Sequence, residues 1–133
     1  MTAPDPHAPW HAHIYYTPEQ RGEAEALRYR FMALTKNGNN SLILLVGRMM
    51  DGPVGPHPMA QYEVHFRERF VVEVSALIEA SGLRALVHPL TDDDLADHTI
   101  LARWIGEPVA LDVTTLDPVG ENKGVPRFGI TDF

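Results

Sequence analysis

"WHAHIYYTPEQ", residues 10–20, decides how the chain is read. Its first seven residues alternate with a period of two, Trp10, Ala12, Ile14 and Tyr16 on one face and His11, His13 and Tyr15 on the other. That is the pattern of a half-buried strand rich in aromatic side chains. The last four residues change the period. Thr17 stands at an N-cap, Pro18 follows where its missing N–H costs least, and Gln20 completes a capping-box arrangement. A strand therefore runs straight into a helix and carries two histidines on the face opposite its apolar one.

Outward from this stretch, Ala24, Leu27, Phe31 and Leu34 continue one apolar stripe, and the helix stops before the turn-rich "KNGNNS" at 36–41. "SLILLVGRMM" (41–50) predicts a second strand whose continuous apolar run implies burial on both faces or a subunit contact. "DGPVGP" (51–56) turns the chain. Alternation then returns, with Pro58, Ala60, Tyr62, Val64 and Phe66 opposed to His57, Met59, Gln61, Glu63 and His65. A second helix is predicted over 67–81, with Phe70, Val74, Leu77 and Ile78 inward and Gly82 as its C-cap. "LRALVHPL" (83–90) is a fourth strand, pointing Ala85 and Val87 one way and Leu86 and His88 the other. "TDDDLADHTILARWIG" (91–106) predicts a third helix, capped by Thr91 and ended by Gly106. The run of three aspartates suits the positive end of its dipole rather than a cation site. "PVALDVTTL" (108–116) predicts a short edge strand.

The order β-α-β-β-α-β plus an added C-terminal helix is that of an α+β, ferredoxin-like antiparallel sheet with both helices on one face. In that arrangement the first strand is central, flanked by the third and fourth. The uncovered face then gathers His11, His13, His57, Glu63, His65 and His88 from three strands. His98 shares a helical stripe with Leu95, Ala102 and Ile105 and is expected to face inward. The expected organisation is a flexible segment over 1–9, one domain over 10–116, and a tail over 117–133 that packs on the domain or a partner.

Composition narrows the function. The chain has 133 residues, 44% hydrophobic and 22% charged, enough for one folded domain. A net charge of −7 without a Lys/Arg cluster argues against nucleic acid as a partner. With no cysteine, a metal would fall to His, Asp or Glu, and a cytoplasmic setting is expected. Neither a signal-peptide pattern nor a run of bilayer length is present, so no membrane association is expected.

Four ordered motifs, "HAHIYY" (11–16), "GPHPMAQYEVHF" (55–66), "VHPLTDDDLADHT" (87–99) and "WIGEPVALD" (104–112), resemble those of the DOPA 4,5-dioxygenase family. The resemblance implies a ferredoxin-like fold, a homodimer, and extradiol cleavage of a catechol such as L-DOPA by O₂. The family's histidines correspond to His11, His13, His57, His88 and His98, whereas His65 falls outside the pattern and His7 lies in the N-terminal segment.

Such a reaction calls for a metal with open positions and an uncommitted base. A 2-His-1-carboxylate triad is the familiar Fe(II) arrangement, and imidazole suits the proton transfers. The expected ligands are His13, His88 and His57, with Glu63 as the carboxylate alternative. His11 and His98 are the expected catalytic histidines. Fe(II) is the expected cofactor, with Zn or Mn as substitutes. His57 precedes its strand and reaches the site only if its loop folds back or a second subunit supplies it. Two other readings stay open: a metal-independent enzyme of the same fold, and a small-molecule-binding domain.

Overall fold

Period-two alternation becomes strand β1 (Pro9–Tyr15), and the capping signal becomes one 3₁₀ turn, Pro18–Gln20, that leads into helix α1 (Arg21–Ala33). The Thr17 N–H donates to Gln20 Oε1 at 3.1 Å, as a capping box requires. The structure, a computed structural model, describes residues 5–130. Residues 1–4 of the expected flexible segment and 131–133 of the expected tail lie outside the described residues.

β2 (Leu45–Val46), β3 (Gln61–Arg67), helix α2 (Val71–Ser81), β4 (Arg84–Pro89), helix α3 (Asp94–His98) and β5 (Arg103–Ile105) follow in that order. The five strands form one antiparallel sheet in the order β2-β3-β1-β4-β5, with β1 central. Trp10, Ala12 and Ile14 of β1 and Tyr16 just after it join Tyr62, Val64 and Phe66 of β3 and Ala85 and Val87 of β4 under the helices. Leu27, Phe31, Val74 and Ile78 pack on them. Each large side chain so buried contributes roughly 1.5–3 kcal/mol. The histidine face of β1 is thus left for the loops. Among the described residues no helix is long and apolar enough to cross a membrane.

Three sequence expectations are corrected. The second strand shrinks to Leu45–Val46, although Leu44, Gly47 and Met50 each donate a backbone bond to β3. Most of its apolar run is half-buried along the sheet edge, with Ile43 alone fully inside. A Cβ at Gly47 would lie 2.9 Å from Glu63 Cγ, so glycine is what lets this segment press against β3.

The expected helix over 91–106 keeps only Asp94–His98, capped by Asp93 instead of Thr91, with Asp93 Oδ1 accepting the Ala96 N–H at 3.0 Å. Arg103–Ile105 leaves the helix and pairs with the open edge of β4, a backbone need that side-chain periodicity does not reveal. Leu95 is accordingly 41% exposed, so the stripe it was expected to share with His98 does not form. The expected edge strand over 108–116 is absent; Val113–Thr115 makes a 3₁₀ turn there, and β5 takes the edge.

Candidate metal centre

Register builds the site. Across the sheet, His65 of β3, His11 of β1 and His88 of β4 are direct cross-strand partners, and the next row on the same face is Glu63, His13 and Leu86. A third row sets Gln61, Tyr15 and Arg84 side by side. Three strands therefore deliver five titratable side chains to two adjacent rows of one face. His11, His13, Glu63, His65 and His88 are all buried.

His57 arrives from the loop. Val54 and His57 exchange backbone hydrogen bonds of 3.1 and 2.9 Å around Gly55 and Pro56, and Gly55 takes a φ of +54° that the tight turn demands. The loop folds back within the same chain and sets the His57 ring 4.2 Å from that of His13. Its Nδ1 meets the Tyr15 hydroxyl at 2.7 Å, and Trp104 of β5 stacks on Tyr15 from behind. His98 comes from α3, its ring 4.3 Å from His88, with Nδ1 donating to the Asp94 carbonyl at 2.8 Å.

All six residues singled out from the sequence, His11, His13, His57, Glu63, His88 and His98, line one cleft of about 210 Å³. Its rim is lined by residues 115–117, 122–124 and 127, including Lys123 and Arg127. Asn122 anchors this rim, donating to the Thr91 carbonyl at 2.6 Å and to Asp97 Oδ2 at 2.8 Å.

The hydrogen bonds fix which ring nitrogens are bare. His88 Nδ1 donates to the Pro89 carbonyl at 2.8 Å, and His13 Nδ1 to Gln61 Oε1 at 3.0 Å. With both Nδ1 atoms protonated, the neutral rings present lone pairs at Nε2, and these two atoms lie 3.0 Å apart. Facing lone pairs repel unless a cation or proton sits between them. Buried His11 Nε2 has no hydrogen-bond partner at all.

Burial first, then mutual repulsion among the imidazoles, holds His11, His13 and His88 well below their ordinary pKa, and His57 is lowered to about 3. Neutral imidazoles are what a metal takes. One ligand atom each from His11, His13 and His88 lie within 4.8 Å of one another, and so do those from His11, Glu63 and His65. The 3.0 Å separation matches adjacent nitrogens each about 2.1 Å from one ion. The cluster can hold a metal ion, and its donor set fits one.

His57 belongs to neither of these groups, and Glu63 only to the second. Sequence reasoning set His65 aside and passed over Gln61, although the period-two face that carries Glu63 carries both. Nothing in the sequence pointed to the rim residue Asn122, whose partners lie 25 and 31 positions away.

Comparison with known proteins identifies relatives of this chain. The profile of the family described as Dopa 4,5-dioxygenase matches residues 10–115. A DOPA 4,5-dioxygenase of Amanita muscaria is 38% identical over 112 residues, which are 80% of this chain and 49% of that protein. An uncharacterized 21.2 kDa protein of Botryotinia fuckeliana is 31% identical over 84% of this chain and 64% of its own length. The chain thus spans about half to two thirds of these relatives. A solved structure from Nostoc punctiforme, provisionally described as a dioxygenase, superposes with a TM-score of 0.71 at 32% identity, over 82% of this chain and 90% of that one.

Proposed function

The chain belongs to the Dopa 4,5-dioxygenase family, and from that premise we propose that it opens a catechol ring with dioxygen by extradiol cleavage, on a ferredoxin-like framework. L-DOPA, cleaved between positions 4 and 5 to a semialdehyde, is the model substrate, and Fe(II) the cofactor. The observation that carries this reading is the pair of bare nitrogens, His13 Nε2 and His88 Nε2, held 3.0 Å apart in a buried cleft. His13 and His88 are assigned as ligands. His11, expected from the sequence as an acid/base group, becomes the third, because it belongs to the same cluster and its buried Nε2 has no hydrogen-bond partner.

When bound, the metal would supply open positions on which both catechol oxygens and dioxygen are brought together. The protein residues do the rest. Gln61 and the Pro89 carbonyl hold the Nδ1–H groups of His13 and His88, which keeps both Nε2 lone pairs on the cleft. His98, tethered through Nδ1 to α3, keeps Nε2 free to accept a phenolic proton. His57 and Tyr15 form a second hydrogen-bonded pair that can hold a proton. Residues 115–117, 122–124 and 127 line the mouth of the cleft, through which substrate would enter.

A homodimer in the cytoplasm is the proposed setting. The half-exposed Leu44–Val46 edge, beside Tyr29 at 60% and Met32 at 40% exposure, offers the apolar surface, and sedimentation equilibrium checks it. The catalytic test is anaerobic reconstitution with Fe(II), then L-DOPA in air, followed by absorbance. A yellow ring-opened product that vanishes with chelator is expected. Turnover that survives complete metal removal refutes the metal-dependent reading.

A further inference from the structure

His65 is fully buried, lies in the same cross-strand row as His11 and His88, and yet does not line the cleft. Its Nδ1 accepts the Gly129 N–H at 3.0 Å. A neutral imidazole that accepts at Nδ1 must carry its proton on Nε2. That Nε2, like His11 Nε2, makes no hydrogen bond; Glu63 Oε1 lies 3.5 Å from it and the other carboxylate oxygen, Oε2, lies 3.8 Å from His11 Nδ1, so the carboxylate sits between the two rings at electrostatic contact distance. The His65 ring also stacks on His11, centroids 3.9 Å apart and 21° from parallel.

The chain end that sets this arrangement lies outside the family match at 10–115. Phe128 packs against the rings of His65 and His11 at 5.7 and 6.4 Å, and the Arg67 guanidinium covers Phe128 at 5.5 Å. Gly129 takes a φ of +84°, a backbone state that a side chain disfavours, and its amide reaches His65 from there. Beside Glu63, a side chain at position 47 would lie 2.9 Å from its Cγ, so Gly47 leaves the room the Glu63 side chain occupies.

We propose that His65 is a positioning residue: the Gly129 amide fixes its Nε2–H tautomer, Nε2–H steers Glu63, and Glu63 holds the Nδ1–H of His11 so that His11 Nε2 points at the metal cluster. This choice also decides between the two clusters. A protonated His65 Nε2 offers no lone pair, so the group of His11, Glu63 and His65 is a scaffold, and the ion goes to His11, His13 and His88. The mechanistic part rests on the dioxygenase reading; the tautomer and the ligand set do not.

The test is long-range ¹H–¹⁵N correlation on full-length, metal-free protein with ¹⁵N-labelled histidine, the His65 signals assigned with His65→Gln. Protonated Nε2 and bare Nδ1 are expected for His65, with a mixed tautomer appearing in Gly129→Ala and in Phe128→Ala. Titration with Zn(II) is expected to give one equivalent bound in both His65→Leu and His65→Gln. In ring-opening assays His65→Leu should lower kcat on the order of tenfold with KM unchanged, and His65→Gln, which keeps a donor near the Nε2 position, should restore most of it. A protonated Nδ1 in the wild type, or loss of the Zn(II) equivalent in His65→Leu, overturns the proposal. Absence of ring opening in the wild type refutes the dioxygenase reading alone, because the tautomer and the Zn(II) stoichiometry are read without turnover.

Discussion

Two histidines that aim bare nitrogens at each other across 3.0 Å are a repulsive pair until something positive sits between them. Removing either partner should therefore remove the ion. His13→Ala and His88→Ala are each expected to fall from a full metal equivalent towards none, measured by elemental analysis after dialysis against metal-free buffer. A full equivalent retained in both variants would sink the ligand assignment. His98 has the opposite signature. Its Nδ1 is occupied by the Asp94 carbonyl, and Asp94 itself is held below the usual carboxylate range: burial opposes this, but the bonds from His98 and the Asp117 N–H outweigh it. A ring so anchored is a proton acceptor fixed at one wall. His98→Gln should keep the metal equivalent and lose on the order of 10²-fold or more in kcat, the scale of a positioned acid/base group. Loss of metal along with turnover would make His98 a ligand instead.

At the scale of elements, the site depends on a short helix and a chain end that have little intrinsic reason to stay. α3 has five residues, too few to be stable alone, and the rim over 115–127 has only isolated 3₁₀ turns. Asn122 joins them through Thr91 and Asp97 and also accepts the Gly124 N–H at 2.9 Å. Asn122→Ala should cost roughly 1–3 kcal/mol, because the buried Asp97 carboxylate and the half-buried Thr91 carbonyl lose a donor. It should also speed tryptic cleavage after Lys123 and Arg127. Cleavage as slow as in the wild type would mean the rim is held elsewhere. The same elements mark where the sequence stopped being informative. β1 with its capping signal, the inward face of β3 and the end of α2 at Gly82 were legible because each rests on local periodicity or a local cap. The same alternation brought His11, His13, Glu63 and His88 within reach, whereas His98, on α3, and His57, in a loop, came from the family resemblance. Arg103–Ile105 was not legible, since a helical step from His98 through Ala102 to Ile105 competes with a strand reading, and only the open edge of β4 decides between them. The chain end was illegible for a related reason. It carries no period, and its bonds to Thr91, Asp97 and His65 span 25 to 64 positions.

For the whole molecule, the histidine face sets a limit on acid stability. Burial, reinforced by repulsion between neighbouring imidazoles, lowers the pKa of His11, His13, His57 and His88 in the folded chain. In the unfolded chain each titrates near about 6.5. Below that value the unfolded state binds more protons than the folded one, so stability rises with pH: the contribution is complete above about pH 6.5 and is lost as the pH falls beneath it. Each such group steepens the slope by about 1.4 kcal/mol per pH unit. Acting together they remove several kcal/mol within a unit, against a typical domain stability of about 5–15 kcal/mol. The metal-free protein should therefore unfold cooperatively between roughly pH 6 and 4.5, with uptake of several protons. An ion that binds only the folded chain adds about 2.7 kcal/mol at a hundred times its Kd, and protons must displace it before the histidines can charge. Saturating Zn(II) should then move the acid midpoint downward, and chelator should move it back. Far-UV circular dichroism at graded pH measures both shifts. A metal-free protein that takes up these protons near about pH 6.5 while staying folded would show that the histidines are charged without penalty, and a midpoint indifferent to Zn(II) would show that the ion does not sit among them.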